Sequence, residues 1–293
     1  MKNNGLTILS DNGMVRGFFL NSRNIVQQAF QYHQTAPVVT AALGRLLTAS
    51  AMMGKMLKND SDLLTLQIEG EGPVKTILAT ANRKGQVKGY PGVSIVDIPL
   101  KPNGKLDVSG AIGLGTLNVL RDNGEGEPYV SRTELISGEI AEDITHYYAT
   151  SEQTPTVCAL GVLVDRDYSV KSAGGFLLQL LPGADDEVIT ALENNLQKVQ
   201  NVSSMFEHTS NQEIANILME NIPFHITEEW GADYFCNCSR ERTEKVLLSL
   251  GKKDLASLIE EGKPVELCCH FCDAKYQFTP EDMKKLLIQG SKK

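Results

Sequence analysis

Two cysteine pairs, Cys236-Asn-Cys238 and Cys269-His-Phe-Cys272, stand near the end of the chain with the segment 239–268 between them. Four thiolates in this pattern suit a tetrahedral Zn²⁺ site, with Zn–S distances of about 2.3 Å. The spacing therefore requires a fold that brings two separated pairs to one centre. Five of the six cysteines lie at or beyond position 236; the sixth is Cys158. In a reducing compartment such clustering points to metal or redox chemistry, whereas structural disulfides belong to oxidising ones.

Strand alternation selects among the three cysteines of "ELCCHFC" (266–272). In "PVELCC", Val265, Leu267 and Cys269 share one face and Glu266 and Cys268 the other. Cys269 and Cys272 have the tight-turn spacing, so Cys236, Cys238, Cys269 and Cys272 are the expected ligands. His270 offers a Cys3His alternative, but a turn between two ligands aims it outward. A fully sulfur-ligated zinc leaves no open position for a substrate water, which argues against hydrolytic catalysis. Whether the metal is only structural stays open at this level. A module of about 60 residues rarely gains more than about 3–5 kcal/mol from its core, whereas structural zinc supplies about 10–16 kcal/mol. Oxidation of metal-held thiolates to disulfides would eject the metal. A Cys-x-Cys disulfide requires the chain to bend, so such a bond is expected to be strained and readily reduced.

The remaining chemistry is narrowed by composition. A net charge of −8 disfavours a general nucleic-acid binder, because that affinity rests on Lys and Arg neutralising phosphates. Residues 231–293 carry eleven Lys/Arg against ten Asp/Glu, which leaves about −9 on the first 230. Neither part has a basic stripe. The start, "MKNNGLTILSDNGM", has no secretory pattern, so a cytoplasmic protein is expected. The apolar stretch 36–57 is long enough to span a bilayer, but Arg45 near its middle makes a buried amphipathic helix, and no membrane, the expectation.

At 293 residues, two folded units and a connector are expected. Residues 1–183 mix helical patterning (23–33, 36–57) with strand signals at 63–70, 73–91, 115–122, 156–165 and 174–183, an α+β pattern without regular alternation. Residues 184–230 read as a helical linker. Ile189, Leu192, Leu196 and Val199 mark one helix face, and Ser210 with Glu213 forms a capping box for a second helix burying Ile214, Ile217 and Leu218. Residues 231–293 form the zinc-binding part. Ser239 caps a helix with Val246, Leu247 and Leu250 inward, Asp254 starts a shorter one, strands flank the "HFCD" turn, and Thr279-Pro280 opens a last helix.

Three other motifs carry no chemistry. "SEQTPT" (151–156) places Ser151, Glu152 and Gln153 together, but no histidine stands as base, so a turn or cap is expected. "GEGPVKT" (70–76) has Val74 where a phosphate loop needs glycine. "GAIGLG" (110–115) has the wrong spacing for a dinucleotide fingerprint.

The tail "CNCSRERTEKVL" with "EGKPVELCCHFCDAKYQF" resembles the redox switch of the bacterial 33-kilodalton heat-shock chaperones, the redox-regulated holdases. The stretches "LTLQIEGEGPVKTI" (64–77), "HYYATSEQTPT" (146–156) and "AGGFLLQLLPG" (173–183) agree, so the resemblance covers nearly the whole chain. It implies an ATP-independent chaperone, not an enzyme, inactive while reduced and zinc-loaded. Under oxidation it implies Cys236–Cys238 and Cys269–Cys272 disulfides, zinc release, loosening of tail and linker, and capture of unfolding client proteins, typically as a homodimer. It gives Cys158 and Cys268 no role. Two rivals are a zinc-ribbon nucleic-acid regulator, suggested by Arg240, Arg242 and Lys245, and a thiol-disulfide oxidoreductase using Cys269 and Cys272, which lacks a thioredoxin-like context.

Overall fold

The computed structural model describes residues 4–199 and 201–290. The chain divides into two compact units between Phe235 and Cys236. The first unit begins with β1 (Gly5–Ser10), β2 (Val15–Asn21), α1 (Arg23–His33) and α2 (Pro37–Gly54). It continues through β3 (Leu63–Gly70), β4 (Thr76–Asn82), β5 (Gln86–Pro91), α3 (Val108–Ile112), β6 (Gly115–Asp122) and β7 (Tyr129–Glu134). Then follow α4 (Ala141–Thr150), β8 (Thr156–Val164), β9 (Val170–Leu180), α5 (Asp186–Leu196), α6 (Val202–His208), α7 (Asn211–Leu218), β10 (Phe224–Trp230) and β11 (Asp233–Tyr234).

These strands form two sheets, ordered β10-β1-β2-β9-β8 and β11-β5-β4-β3-β6-β7. Within the sheets only β11 against β5 pairs in parallel; every other pairing among the described residues is antiparallel. The architecture is the mixed α+β class that the patterning indicates. Helix α2 packs on strands of both sheets. Pro37 presets its first turn, and Ala41, Ala42, Gly44, Ala49 and Ala51 are small enough for close approach on every side. Of its 18-residue apolar window, 89% is buried, so the stretch that could span a bilayer by length serves as a core helix. The "GEGPVKT" segment is a turn: a Cβ on Gly70 would lie 2.1 Å from the Ile112 carbonyl oxygen, so glycine permits the approach.

Arg45, the charge inside that helix, is matched locally. Its Nη1 donates to Glu139 Oε2 at 2.6 Å, and Lys101 also pairs with Glu139. Burial disfavours the Glu139 carboxylate, but hydrogen bonds from Lys101 and Arg45 outweigh this and hold its pKa down to about 2, against 4.5 unperturbed. The folded state thus binds fewer protons here than the unfolded chain. The contribution is complete above about pH 4.5 and is lost as pH falls toward about 2. Glu139→Gln should cost about 1–2 kcal/mol at pH 7 for this partly exposed network. In thermal melts its deficit against the native sequence should narrow at pH 3.

The helices α5 to α7 lie on one face of the first sheet. Val188, Leu192, Phe206, Ile214 and Leu218 form a single cluster with Leu6, Ile8, Phe19, Phe176 and Leu178. Two details of the periodicity shift. In α5 the most deeply buried apolar residues are Val188 and Leu192, with Ile189 only partly covered. In α7, Ile217 remains 36% exposed while Ala215 is buried. Asp185 and Ser210 cap these helices through their side chains.

The second unit holds α8 (Arg240–Ser249), α9 (Lys252–Glu260), β12 (Val265–Cys268), β13 (Lys275–Phe278) and α10 (Pro280–Gly290). Its core is small: Leu247, Leu255, Phe278, Met283 and Leu286. Val246 and Leu250, expected inward, are exposed, because only the Leu247 face of α8 meets the other elements. Helix α9 starts at Lys252, ahead of Asp254, since Gly251 with φ 91° supplies the break.

Candidate metal centre

Cys236 and Cys238 lie on the extended segment leading into α8, which Ser239 caps by accepting a hydrogen bond from the Arg242 amide. Cys269 and Cys272 lie in the turn between β12 and β13. There Asp273 N donates to Cys269 O at 2.9 Å and Cys269 N to Ala274 O at 2.9 Å. Asp273 takes a left-handed φ of 55°, which Asp tolerates better than most residues.

All four sulfurs lie within 4.8 Å of one another. The closest described approaches join the two halves: Cys236 to Cys269 at 3.7 Å and Cys238 to Cys272 at 3.3 Å. A tetrahedral zinc with bonds of about 2.3 Å needs sulfurs roughly 3.8 Å apart, so the cluster fits a metal of that size after small adjustments. The four residues are half-buried, which shields the cluster without closing it. His270 is not in the cluster. Cys268 is exposed, with its Sγ 4.0 Å from Asp273 Oδ1, and burial with the neighbouring Asp273 charge raises its pKa. Cys158 is buried on β8 in the other unit, where desolvation pushes its thiol up to about 12.

Without metal the thiols are unequal. Burial pushes Cys238 up, but hydrogen bonds from Tyr276 and the neighbouring thiols outweigh it and bring it below the usual thiol range. Burial chiefly raises Cys236 and Cys272. The Tyr276 hydroxyl donates to Cys238 Sγ at 3.2 Å, which pushes the phenol up to about 12. Tyr276 is a contact that the cysteine spacing could not reveal.

Arg240 is the second such contact. Its Nη1 donates to the Gln277 carbonyl at 2.8 Å, its Nη2 meets Asp282 at 3.1 Å, and its guanidinium lies 4.4 Å from the centre of the Phe278 ring. The side chain joins the segment after Cys238 to the segment after Cys272. A residue that suggested nucleic-acid contact is thus engaged within its own unit.

The "SEQTPT" residues make structural contacts. Glu152 accepts from the Tyr147 hydroxyl at 2.5 Å and pairs with Arg121 at 3.0 Å. Ser151 accepts from Ser131 at 3.0 Å, and Gln153 turns the chain at φ 51°.

The family model described as "Hsp33 protein" matches residues 4–279. The protein named 33 kDa chaperonin from Lachnoclostridium phytofermentans is 46% identical over 281 residues, covering 96% of each chain. The 33 kDa chaperonin of Clostridioides difficile is 46% identical over 289 residues, covering 98% of this chain and 99% of that one. Among solved structures, the crystal structure of the Thermotoga maritima 33 kDa chaperonin (heat shock protein 33 homolog) matches with a TM-score of 0.90 at 33% identity. That match covers 99% of this chain and 100% of the other.

Proposed function

The chain belongs to the Hsp33 family, and on that premise we propose that it is a redox-regulated, ATP-independent holdase for unfolding client proteins. In the reduced protein Cys236, Cys238, Cys269 and Cys272 hold one zinc ion. When bound, zinc fixes the four sulfurs as thiolates and adds folding free energy to a unit with a small core. The observation that carries this reading is the convergence of four half-buried sulfurs within 4.8 Å in a chain of this family.

Activation is oxidation by a peroxide. Each disulfide forms as two thiols give up two electrons and two protons, and the peroxide O–O bond is reduced to two hydroxyl groups. The proposed pairs are Cys236–Cys238 and Cys269–Cys272. The shortest described contacts run between these pairs, yet the local pairing follows once the unit loosens. Pairing within each motif leaves the 239–268 segment free to unfold, whereas pairing between the motifs would tie its two ends together. Sulfurs joined in disulfides no longer supply the thiolate donors of a metal site.

Three functional parts follow from this reading: a core, 1–183; a linker, 184–230; and the switch, 231–293. Cys236 comes just after β11, the edge strand paired to β5, and β10 is likewise an edge strand paired only to β1. Edge strands are held on one side only. Once residues 236–293 unfold, these strands and helices α5 to α7 are the elements best placed to open. Their release would bare the apolar sheet face of Leu6, Ile8, Phe19 and Phe176 for clients. The active species is a homodimer, and the thiol chemistry suits a reducing cytoplasm. Nothing in this mechanism needs nucleic acid or a membrane.

The test combines zinc content, free thiols and aggregation assays before and after peroxide with mild heat. About one zinc and four thiols should be lost per chain as suppression of client aggregation appears. Thiol reductant with zinc should reverse all three. Equal suppression by reduced and oxidised protein would overturn the switch.

A further inference from the structure

A cavity of about 740 Å³ in the first unit lies between α2, β8, the 100–106 loop and the start of α6. This size is within the roughly 300–1,000 Å³ of small-molecule sites. Part of its wall is apolar, formed by Leu100, Leu106, Leu160 and Val162. Its charged lining is entirely cationic among the described residues: Arg45, Lys105 and Arg166. Lys105 and Arg166 have no ion-pair partner among the described residues. Arg45 is matched by Glu139 through Nη1, and its Nε is buried away from the space. Glu139 is shared with Lys101, which also meets Asp107 at 3.7 Å, and neither carboxylate pairs with Lys105 or Arg166.

Two cations without ion-pair partners among the described residues, Lys105 and Arg166, beside apolar side chains select one ligand chemistry. We propose that the cavity binds a carboxylate carrying a single alkyl chain, such as a medium-chain fatty acid. The planar guanidinium of Arg166 matches a carboxylate in two-point hydrogen bonding, with the Lys105 ammonium as a second cation. The chain lies against Leu100, Leu106, Leu160 and Val162. Val202 and Ser203, which open α6, also line the space. Strand and helix nearly touch there: a Cβ on Gly161 would meet the Ser203 nitrogen at 2.4 Å. A bound chain would therefore bridge the core to α6 and hold the helix down. The site is independent of the metal centre and of the holdase reading.

Calorimetric titration of the full-length, reduced, zinc-loaded protein with decanoate below its micelle concentration tests this. Decanoate should bind at least tenfold more tightly than decanol and should slow amide exchange in residues 202–208. Two variants at accessible positions probe the lining: Lys105→Glu combined with Arg166→Glu, and Leu100→Asp, where Leu100 is 58% exposed. With melting unchanged, each should weaken decanoate at least tenfold. Equal binding of decanol, unchanged affinity in both variants, or uptake only by phosphatidylglycerol vesicles would overturn the proposal.

Discussion

Chelation of the zinc-loaded protein should unfold residues 236–293 and leave residues 4–183 folded. The argument is one of magnitudes. Among the described residues the second unit buries five apolar side chains, Leu247, Leu255, Phe278, Met283 and Leu286. A core in a module of that size yields about 3–5 kcal/mol at best. The Arg240–Asp282 pair is 43% and 33% exposed, and such pairs contribute about 0–1 kcal/mol. A structural zinc contributes about 10–16 kcal/mol, so its removal exceeds everything else in the unit. Cys238→Ala should act in the same direction, because it removes both a donor sulfur and the acceptor of the Tyr276 hydrogen bond. Hydrogen exchange should show loss of protection across 240–290, extending at most into α5 to α7 and the edge strands β10 and β11, while β2, β8, β9 and β3 to β6 keep theirs. Cys268→Ser, with its sulfur outside the cluster, should retain zinc and switching. If the chelated unit stays protected, zinc is incidental to its fold and the redox mechanism fails.

Local chemistry in this chain was legible wherever one residue type decides the outcome. The strands at 63–70 and 115–122 have the bounds their alternation indicates, and Ser210, Ser239 and Pro280 start helices where their caps or fixed φ require. Strand alternation in "VELCC" also separates the exposed Cys268 from its half-buried neighbour Cys269. What depends on distant partners was not legible. The strands β1 and β2 at the start were missed, because their burial comes from elements far along the chain, β9 and helices α5 to α7. β9 starts at Val170, before the Gly174-Gly175 pair that looks like a strand boundary. Those glycines sit mid-strand because other groups fill the space of their side chains. Val246 and Leu250 satisfy the helical period yet face outward, since the small unit has no second surface to cover them. At the candidate metal centre the four sulfurs are written in the spacing, whereas the Tyr276 hydroxyl on Cys238 and the ties of Arg240 to Gln277 and Asp282 come only from the fold.

Phe206→Ala should release the linker without oxidation. Phe206 is 4% exposed, and its ring occupies the space beside Gly174, where an added Cβ would lie 2.4 Å from the ring. Removing a buried phenylalanine costs about 3–5 kcal/mol. α6 has only seven residues and cannot persist without tertiary packing. The loss therefore falls on opening of the helices, because the sheet beneath keeps its own strand pairing. Gly174→Ala should reach the same state from the other side by displacing the ring. Both variants, reduced and zinc-loaded, should bind more hydrophobic dye, lose amide protection across 202–218 and suppress client aggregation. Ile217→Ala, at a position 36% exposed, is the control and should change little. The comparison separates two readings of the same apolar cluster. If opening the helices alone activates the protein, the sheet face under α5 to α7 binds clients and the metal unit acts only to restrain them. If both variants open yet remain inactive, clients bind elsewhere, and residues 236–293 must take part in capture.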